Sequence, residues 1–193
     1  LIISMFLYYC AWGKLSVHAG LGFFTGLLLW KKMCCAIIKT WEKTDEAKNL
    51  NKCLKSISDF ADEIIVVDMH STDGSIEIAK KYGAKLYSYR AMSYVEPARN
   101  FALSKATGRW ILLLDPDEYL GKTLKNELKN ISNRADVDYV KIPRKNIILG
   151  KWFRHSNWWP DYLVRFFRRG HVDWKKQIHR QHEVKGKMLT LLA

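Results

Sequence analysis

The stretch Trp110-Ile-Leu-Leu-Leu-Asp-Pro-Asp-Glu118 decides the fold. Its apolar half is short and wholly hydrophobic, as expected of a strand buried on both faces. It ends abruptly on three carboxylates within four residues. The same pattern occurs upstream, where Ile64-Ile-Val-Val67 runs into Asp68 and then opens into the polar loop His70-Ser-Thr-Asp-Gly74.

Helical patterns lie around these two strands. Leu50, Cys53, Leu54 and Ile57 fall at i, i+3, i+4 and i+7, the stripe of an amphipathic helix, with Thr44 or Asp45 placed to cap it. A second helix is expected from Ser75 to about Tyr82, stopped by Gly83. Lys85 to Tyr89 reads as a strand and Glu96 to Ala106 as a helix, while Leu124, Leu128 and Ile131 mark another helix. This alternation predicts an α/β fold with an open, mostly parallel sheet flanked by helices. In such sheets ligands bind at the carboxyl ends of the strands, where Asp68, Asp73, Asp115 and Asp117 fall. After Tyr139 the text turns aromatic and basic.

The 193 residues, 48% apolar and 26% charged, suit one α/β domain and exclude a disordered tail. The chain starts at Leu1 and stops within the apolar Leu191-Leu-Ala193, so a fragment truncated at its C-terminus is expected. Residues 1–33 form an apolar leader, and residues 34–193 the expected domain. Within the leader, Leu15 to Trp30 is 16 residues long, short of the roughly 20 that cross a bilayer as a helix. A single membrane span, a membrane-surface segment and a non-native leader all stay open. The four cysteines show no metal-binding spacing and are expected as reduced thiols.

The net charge is +13, and most of the excess sits between Lys141 and Lys187, where 13 Lys or Arg face three acids. Such a field attracts lipid headgroups, nucleic acid or a phosphorylated substrate. Neither G-x-G-x-x-G nor G-x-x-x-x-G-K-[ST] occurs, which argues against a dinucleotide-dependent dehydrogenase or a P-loop kinase. No helix-turn-helix, RRM or zinc pattern accompanies the basic stretch, so nucleic acid is not an expected partner; a basic nucleic-acid-binding protein remains an alternative.

Three carboxylates within four residues, Asp115, Asp117 and Glu118, repel one another unless a cation neutralises them. Mg2+ or Mn2+ prefers carboxylate oxygens and retains positions for phosphate. The same spacing also suits a solvated turn that caps the following helix. Asp68 can hold a base or ribose edge, or simply close an Asx turn at the strand end.

Asn49-Leu-Asn-Lys-Cys-Leu-Lys-Ser56, Ile64-Ile-Val-Val-Asp68 with Ser71-Thr-Asp-Gly-Ser75, Ala98-Arg-Asn100 and Ile111-Leu-Leu-Leu-Asp-Pro-Asp-Glu118 occur in that order. Together they resemble family 2 glycosyltransferases, and within them the small bacterial enzymes related to lipopolysaccharide-core glucosyltransferases. Trp159-Pro-Asp-Tyr-Leu-Val-Arg-Phe-Phe-Arg-Arg169 is similar to that subgroup's segment after the central sheet. The resemblance covers about residues 45 to 187. It implies a GT-A fold, a nucleoside-diphosphate sugar donor (a UDP-sugar favoured) and a divalent metal, Mg2+ or Mn2+. By the same likeness Glu46, Asp68, Asp73, Arg99 and Asp115 contact the nucleotide-sugar, and Asp115 and Asp117 hold the metal.

Inversion at the anomeric carbon needs a carboxylate to take the acceptor's proton. Asp161 is the expected base, although a loop carboxylate paired with a nearby Arg fits it equally. The family often carries a His-Glu pair further on; here His179 is followed by Arg180, and His182-Glu183 comes three residues later. The first donor turn is also shifted, with Asp45-Glu46 closest to the family's Asn-Glu. A degenerate, non-catalytic glycosyltransferase acting as a binding or scaffold protein is therefore the first alternative, with the basic nucleic-acid-binding protein second. Trp152, Trp158, Trp159 and Trp174 among the basic residues suit a glycan or glycolipid acceptor, or an anionic membrane surface. The expected location is cytoplasmic, on the inner face of the membrane, in cell-surface polysaccharide or lipopolysaccharide synthesis.

Overall fold

The computed structural model describes residues 34–41, 46–91, 96–156, 158–174 and 182–192. The leader at 1–33 and the His179-Arg180 pair lie outside the described residues. Those described belong to one compact unit, Lys32–Ala193.

Strand β1 (Cys34–Trp41) leads towards helix α1 (Glu46–Ile57), followed by β2 (Glu63–Met69), α2 (Ser75–Lys81) and β3 (Lys85–Ser88). Next come α3 (Glu96–Lys105), β4 (Trp110–Leu114), α4 (Lys122–Ser132) and β5 (Tyr139–Arg144). A small hairpin, β6 (Ile147–Ile148) and β7 (Lys151–Trp152), precedes the long β8 (Asp161–Arg168). Short strands β9 (Val172–Asp173), β10 (Glu183–Val184) and β11 (Met188–Thr190) finish the fold. Among the described residues, no helix is long and apolar enough to cross a membrane.

Seven strands form one sheet in the order β11-β5-β8-β4-β1-β2-β3. The pairs β1–β2, β1–β4, β2–β3 and β5–β11 are parallel. β8 runs antiparallel to both β4 and β5, so the sheet is mostly parallel, as expected, with one reversed strand inside it.

Alternation along the central strands explains why they read as continuous apolar runs. Trp110, Leu112 and Leu114 pack on one face with Leu50, Cys53, Leu54 and Ile57 of α1 and Leu128 and Ile131 of α4. Ile111 and Leu113 face the other way, joining Ile65, Val67 and Met69 against Ala98 and Ala102 of α3. Both faces are thus covered by helices. Each fully buried large side chain contributes roughly 1.5–3 kcal/mol. Trp110 stacks on Phe166 of β8 at 4.6 Å and 8°, and its indole N–H donates to the Ser132 carbonyl at 2.9 Å. That stack ties the reversed strand to the parallel half of the sheet.

Candidate functional site

Because β1, β2 and β4 are parallel neighbours, their carboxyl ends open on one edge. Asp68 is in register with Thr40 of β1 and Ser88 of β3, and Leu114 is in register with Ile38. Asp68 is buried, and its carboxylate accepts backbone N–H bonds from His70 (3.2 Å) and Ser71 (3.1 Å). These bonds form the Asx turn, in which His70 takes a left-handed φ of 67°. Asp73 turns to the helices instead. It accepts from the Ala47 N–H at 2.9 Å and from the Ser75 N–H and hydroxyl at 3.2 and 2.6 Å. Burial opposes ionisation of Asp73, yet the Ser75 and Ala47 donors outweigh it and hold the carboxyl below its ordinary value. Glu46 opens α1, and its side chain lies outside what is described.

The acidic turn after β4 divides its three carboxylates. Asp115 and Glu118 fold inward: Glu118 accepts the Asp115 N–H at 3.0 Å, and the Glu118 N–H donates to the Asp115 carbonyl at 2.9 Å. Asp117 is left exposed at the apex. The cations that neutralise the inward pair are guanidinium groups. Arg99 Nη2 lies 3.3 Å from Asp115, and Arg165 Nη2 reaches Asp115 at 2.6 Å and Glu118 at 2.7 Å. Arg144 then bridges Glu118 at 3.3 Å and Asp161 at 2.8 Å. The result is an alternating ladder, Arg99–Asp115–Arg165–Glu118–Arg144–Asp161, from the end of β4 to the start of β8.

A bulge aims the central rung. Val140 pairs with Phe166 and Lys141 with Val164, so Arg165 is the extra residue on β8. Bulges bend a strand locally and re-aim a side chain. Burial opposes the charge on Arg165, but Asp115 and Glu118 prevail and strengthen its protonation.

A cavity of about 250 Å³ opens beside the ladder, lined among others by Arg99, Asp115, Arg144, Arg165, Trp174 and His182. Asn100 fixes its aromatic wall by donating to the Trp174 carbonyl at 2.6 Å and accepting the Trp174 N–H at 3.0 Å. Adjacent residues of α3 therefore serve two ends of the site, Arg99 the carboxylate and Asn100 the wall. The His182 ring lies 5.3 Å from that of Trp174. Burial, then Arg165, Arg99 and Lys141, pushes the His182 pKa down, so the imidazole is neutral near pH 7. The Cys53 thiol, its sulfur 3.8 Å from the Asp115 carbonyl oxygen, is driven up by burial, with Glu118, Asp115 and Asp117 adding to the effect, and is no nucleophile.

Residues 35–185, along the strands and turns just described, match the family Glycosyl transferase family 2. The chain belongs to that family. An uncharacterized glycosyltransferase of Rickettsia bellii is 38% identical over 123 residues, which are 63% of this chain and 40% of that protein. The chain thus covers well under two thirds of that relative's length. Among solved structures, S. aureus TarS 1–349 in complex with UDP-GlcNAc matches with a TM-score of 0.54 at 25% identity, over 64% of this chain and 37% of that one. The mannosyltransferase PcManGT from Pyrobaculum calidifontis, in complex with GDP-Man and Mn2+, gives a TM-score of 0.50 at 23% identity over 61% of this chain and 37% of that one. The fold is of the GT-A type.

For a family 2 glycosyltransferase the expected site residues are distributed unevenly. Arg99 and Asp115 meet directly, and Asp161 joins them through the ladder. Asp161 accepts three donors on one oxygen, Arg144 Nε at 3.0 Å, Arg144 Nη2 at 2.8 Å and Asn146 Nδ2 at 3.1 Å. Asp73 spends both oxygens on the α1 and α2 N-termini. Trp174, read as a stacking face within a basic field, is buried, at 5% exposure, as a wall of the cavity.

Glu118 stands out in sequence as part of the acidic turn, whereas Arg144, Arg165 and Asn100 are given no site role there. Asn100 and Arg165 both sit inside stretches that carry the family resemblance, but nothing local to Arg144 separates it from the other basic residues. No group of three or more His, Cys, Asp or Glu gathers as a metal cage among the described residues. The donor set nevertheless fits a hard cation. Mg2+ or Mn2+ takes one or two carboxylates plus substrate phosphate oxygens and water, and Asp117 offers an exposed carboxylate outside the arginine ladder.

Proposed function

We propose that this chain transfers a sugar from a nucleoside-diphosphate sugar to an acceptor hydroxyl, with inversion and with a divalent cation. The observation that carries the reading is the ladder, which links the carboxylate after β4 to the carboxylate that begins β8. A UDP-sugar is the favoured donor, because TarS, similar over 64% of this chain, binds UDP-GlcNAc. The acceptor is a glycan or glycolipid of the cell surface, reached from the cytoplasmic face of the membrane.

In this reading Asp68 holds the nucleoside at the end of β2 and Asp115 the ribose. Arg99 and Arg165 face the diphosphate, where leaving-group charge builds as the bond from the anomeric carbon to phosphate oxygen breaks. Asp117, with Asp115 beside it, would hold the Mg2+ or Mn2+ whose Lewis acidity adds to that stabilisation. Asp161 takes the acceptor proton on Oδ1, since the three donors all occupy Oδ2. The acceptor oxygen forms the new bond to the anomeric carbon from the opposite side, and the nucleoside diphosphate departs with the electron pair. A single displacement of this kind inverts the anomeric centre.

The test is release of UDP from UDP-hexoses by the wild type and by Asp161→Asn. Turnover should fall about 100-fold or more in the variant, with nucleotide affinity unchanged. Equal turnover in both would remove Asp161 from the chemistry. Nucleotide binding with no turnover in the wild type would favour a binding or scaffold role.

A further inference from the structure

The hairpin β6–β7 presents exposed apolar side chains at its turn. Its two-residue turn, Leu149-Gly150, has positive φ at both positions, 49° and 76°. Such turns strongly favour Asn-Gly, and a leucine with left-handed φ is an outlier. Leu149 is nonetheless 98% exposed, flanked by Ile147 at 50% and Ile148 at 37%. Phe153 and Trp158 continue this apolar surface at 41% and 44% exposure, their ring centroids 6.1 Å apart.

Cations accompany the apolar groups. No acidic residue occurs from Lys145 to Pro160, while Lys145, Lys151 and Arg154 all lie there. Lys145 and Arg154 both sit over the Trp152 ring, at 4.1 and 3.8 Å, which pins them beside the tip. Exposed aliphatic side chains, ring-anchored cations and the absence of acids together match the boundary between anionic headgroups and acyl chains. A second copy of the chain fits this surface poorly, because a symmetric contact would press like charges together. Stacked nucleic-acid bases have little use for an Ile-Ile-Leu tip.

We propose that the β6–β7 hairpin is a docking element for an anionic lipid surface, with Leu149 and its neighbours entering the headgroup region. The proposal rests on the acceptor-side reading of Asp161. Asn146, at the base of the hairpin, donates to both the Trp158 carbonyl and Asp161 Oδ2 at 3.1 Å. Docking through the tip therefore orients the base relative to the bilayer, as a lipid-linked acceptor requires.

The test is sedimentation of the 193-residue chain with phosphatidylcholine vesicles, with and without phosphatidylglycerol, for the wild type, Leu149→Asp and Lys151→Glu. Both substitutions are at exposed positions, and UDP titration on the same proteins reports whether the donor side is intact. Wild-type binding should require phosphatidylglycerol and weaken with salt, and each variant should lose about tenfold in affinity while binding UDP like the wild type. Undiminished vesicle binding by the variants would overturn the proposal, placing adhesion elsewhere in the chain. Equal, weak binding to both vesicle types would overturn it too. Self-association abolished by Leu149→Asp would assign the face to a second copy. Loss of UDP binding by the wild type would count against the donor site, not against the hairpin.

Discussion

Arg165 touches Asp115 and Glu118 through one nitrogen, at 2.6 and 2.7 Å, from a side chain only 12% exposed. Removing it takes the shortest of these contacts from two inward carboxylates that Arg99 and Arg144 reach at 3.3 Å. Arg165→Met should therefore lower unfolding stability by roughly 3 kcal/mol in urea titrations. Arg165→Lys should recover part of that, since an ammonium restores charge without the planar fork. An unchanged midpoint for Arg165→Met would show that the rung contributes nothing. At this scale the sequence is half legible. Asp68 and Asp115 stand out because each follows a buried apolar run, and a carboxylate there is hard to mistake. Arg144 and Arg165 do not stand out, because what distinguishes them is a β-bulge and a cross-strand partner, neither of which leaves a local trace.

At the scale of the element, α1, β2, α2, β3, α3, β4 and α4 all fall where apolar periodicity puts them, within a residue or two. Their signal is strong because both faces of the sheet are covered. The reversed β8 carries no comparable signal: its burial alternates irregularly around the bulge, and Phe166 and Phe167 are both fully buried although they point to opposite faces. Asp73 shows how a site-like residue can serve an element. Its carboxylate joins the start of α1 to the start of α2, so Asp73→Ala should cost roughly 1–2 kcal/mol and lower Tm by about 3–6 °C, with Asp73→Asn milder. The folded-state pKa is depressed, so this stabilisation is complete above the unfolded value near 3.9 and disappears as pH falls through the lower folded value. Calorimetry at pH 7 and in acid checks both parts. A Tm for Asp73→Ala equal to the wild type at pH 7 would instead leave Asp73 free for a ligand.

At the scale of the molecule, the net charge of +13 is less free than composition implies. Arg144 and Arg165 neutralise the ladder, and Arg168 pairs with Asp138 while donating to the Val137 and Arg134 carbonyls. The field that sequence assigns to the whole stretch from Lys141 to Lys187 is in part spent internally. What remains outward includes the hairpin, while Arg99, Arg144 and Arg165 line the cavity. In the proposed function this edge of the sheet binds a nucleoside diphosphate through arginines, with the exposed Asp117 holding a divalent cation. The decisive measurement is isothermal titration of UDP, then GDP, with and without Mn2+, on the wild type and on Asp117→Ala. Mn2+ should strengthen nucleotide binding by about tenfold or more in the wild type and have no effect in Asp117→Ala. Binding of neither nucleotide, or a Mn2+ effect undiminished in Asp117→Ala, would contradict it.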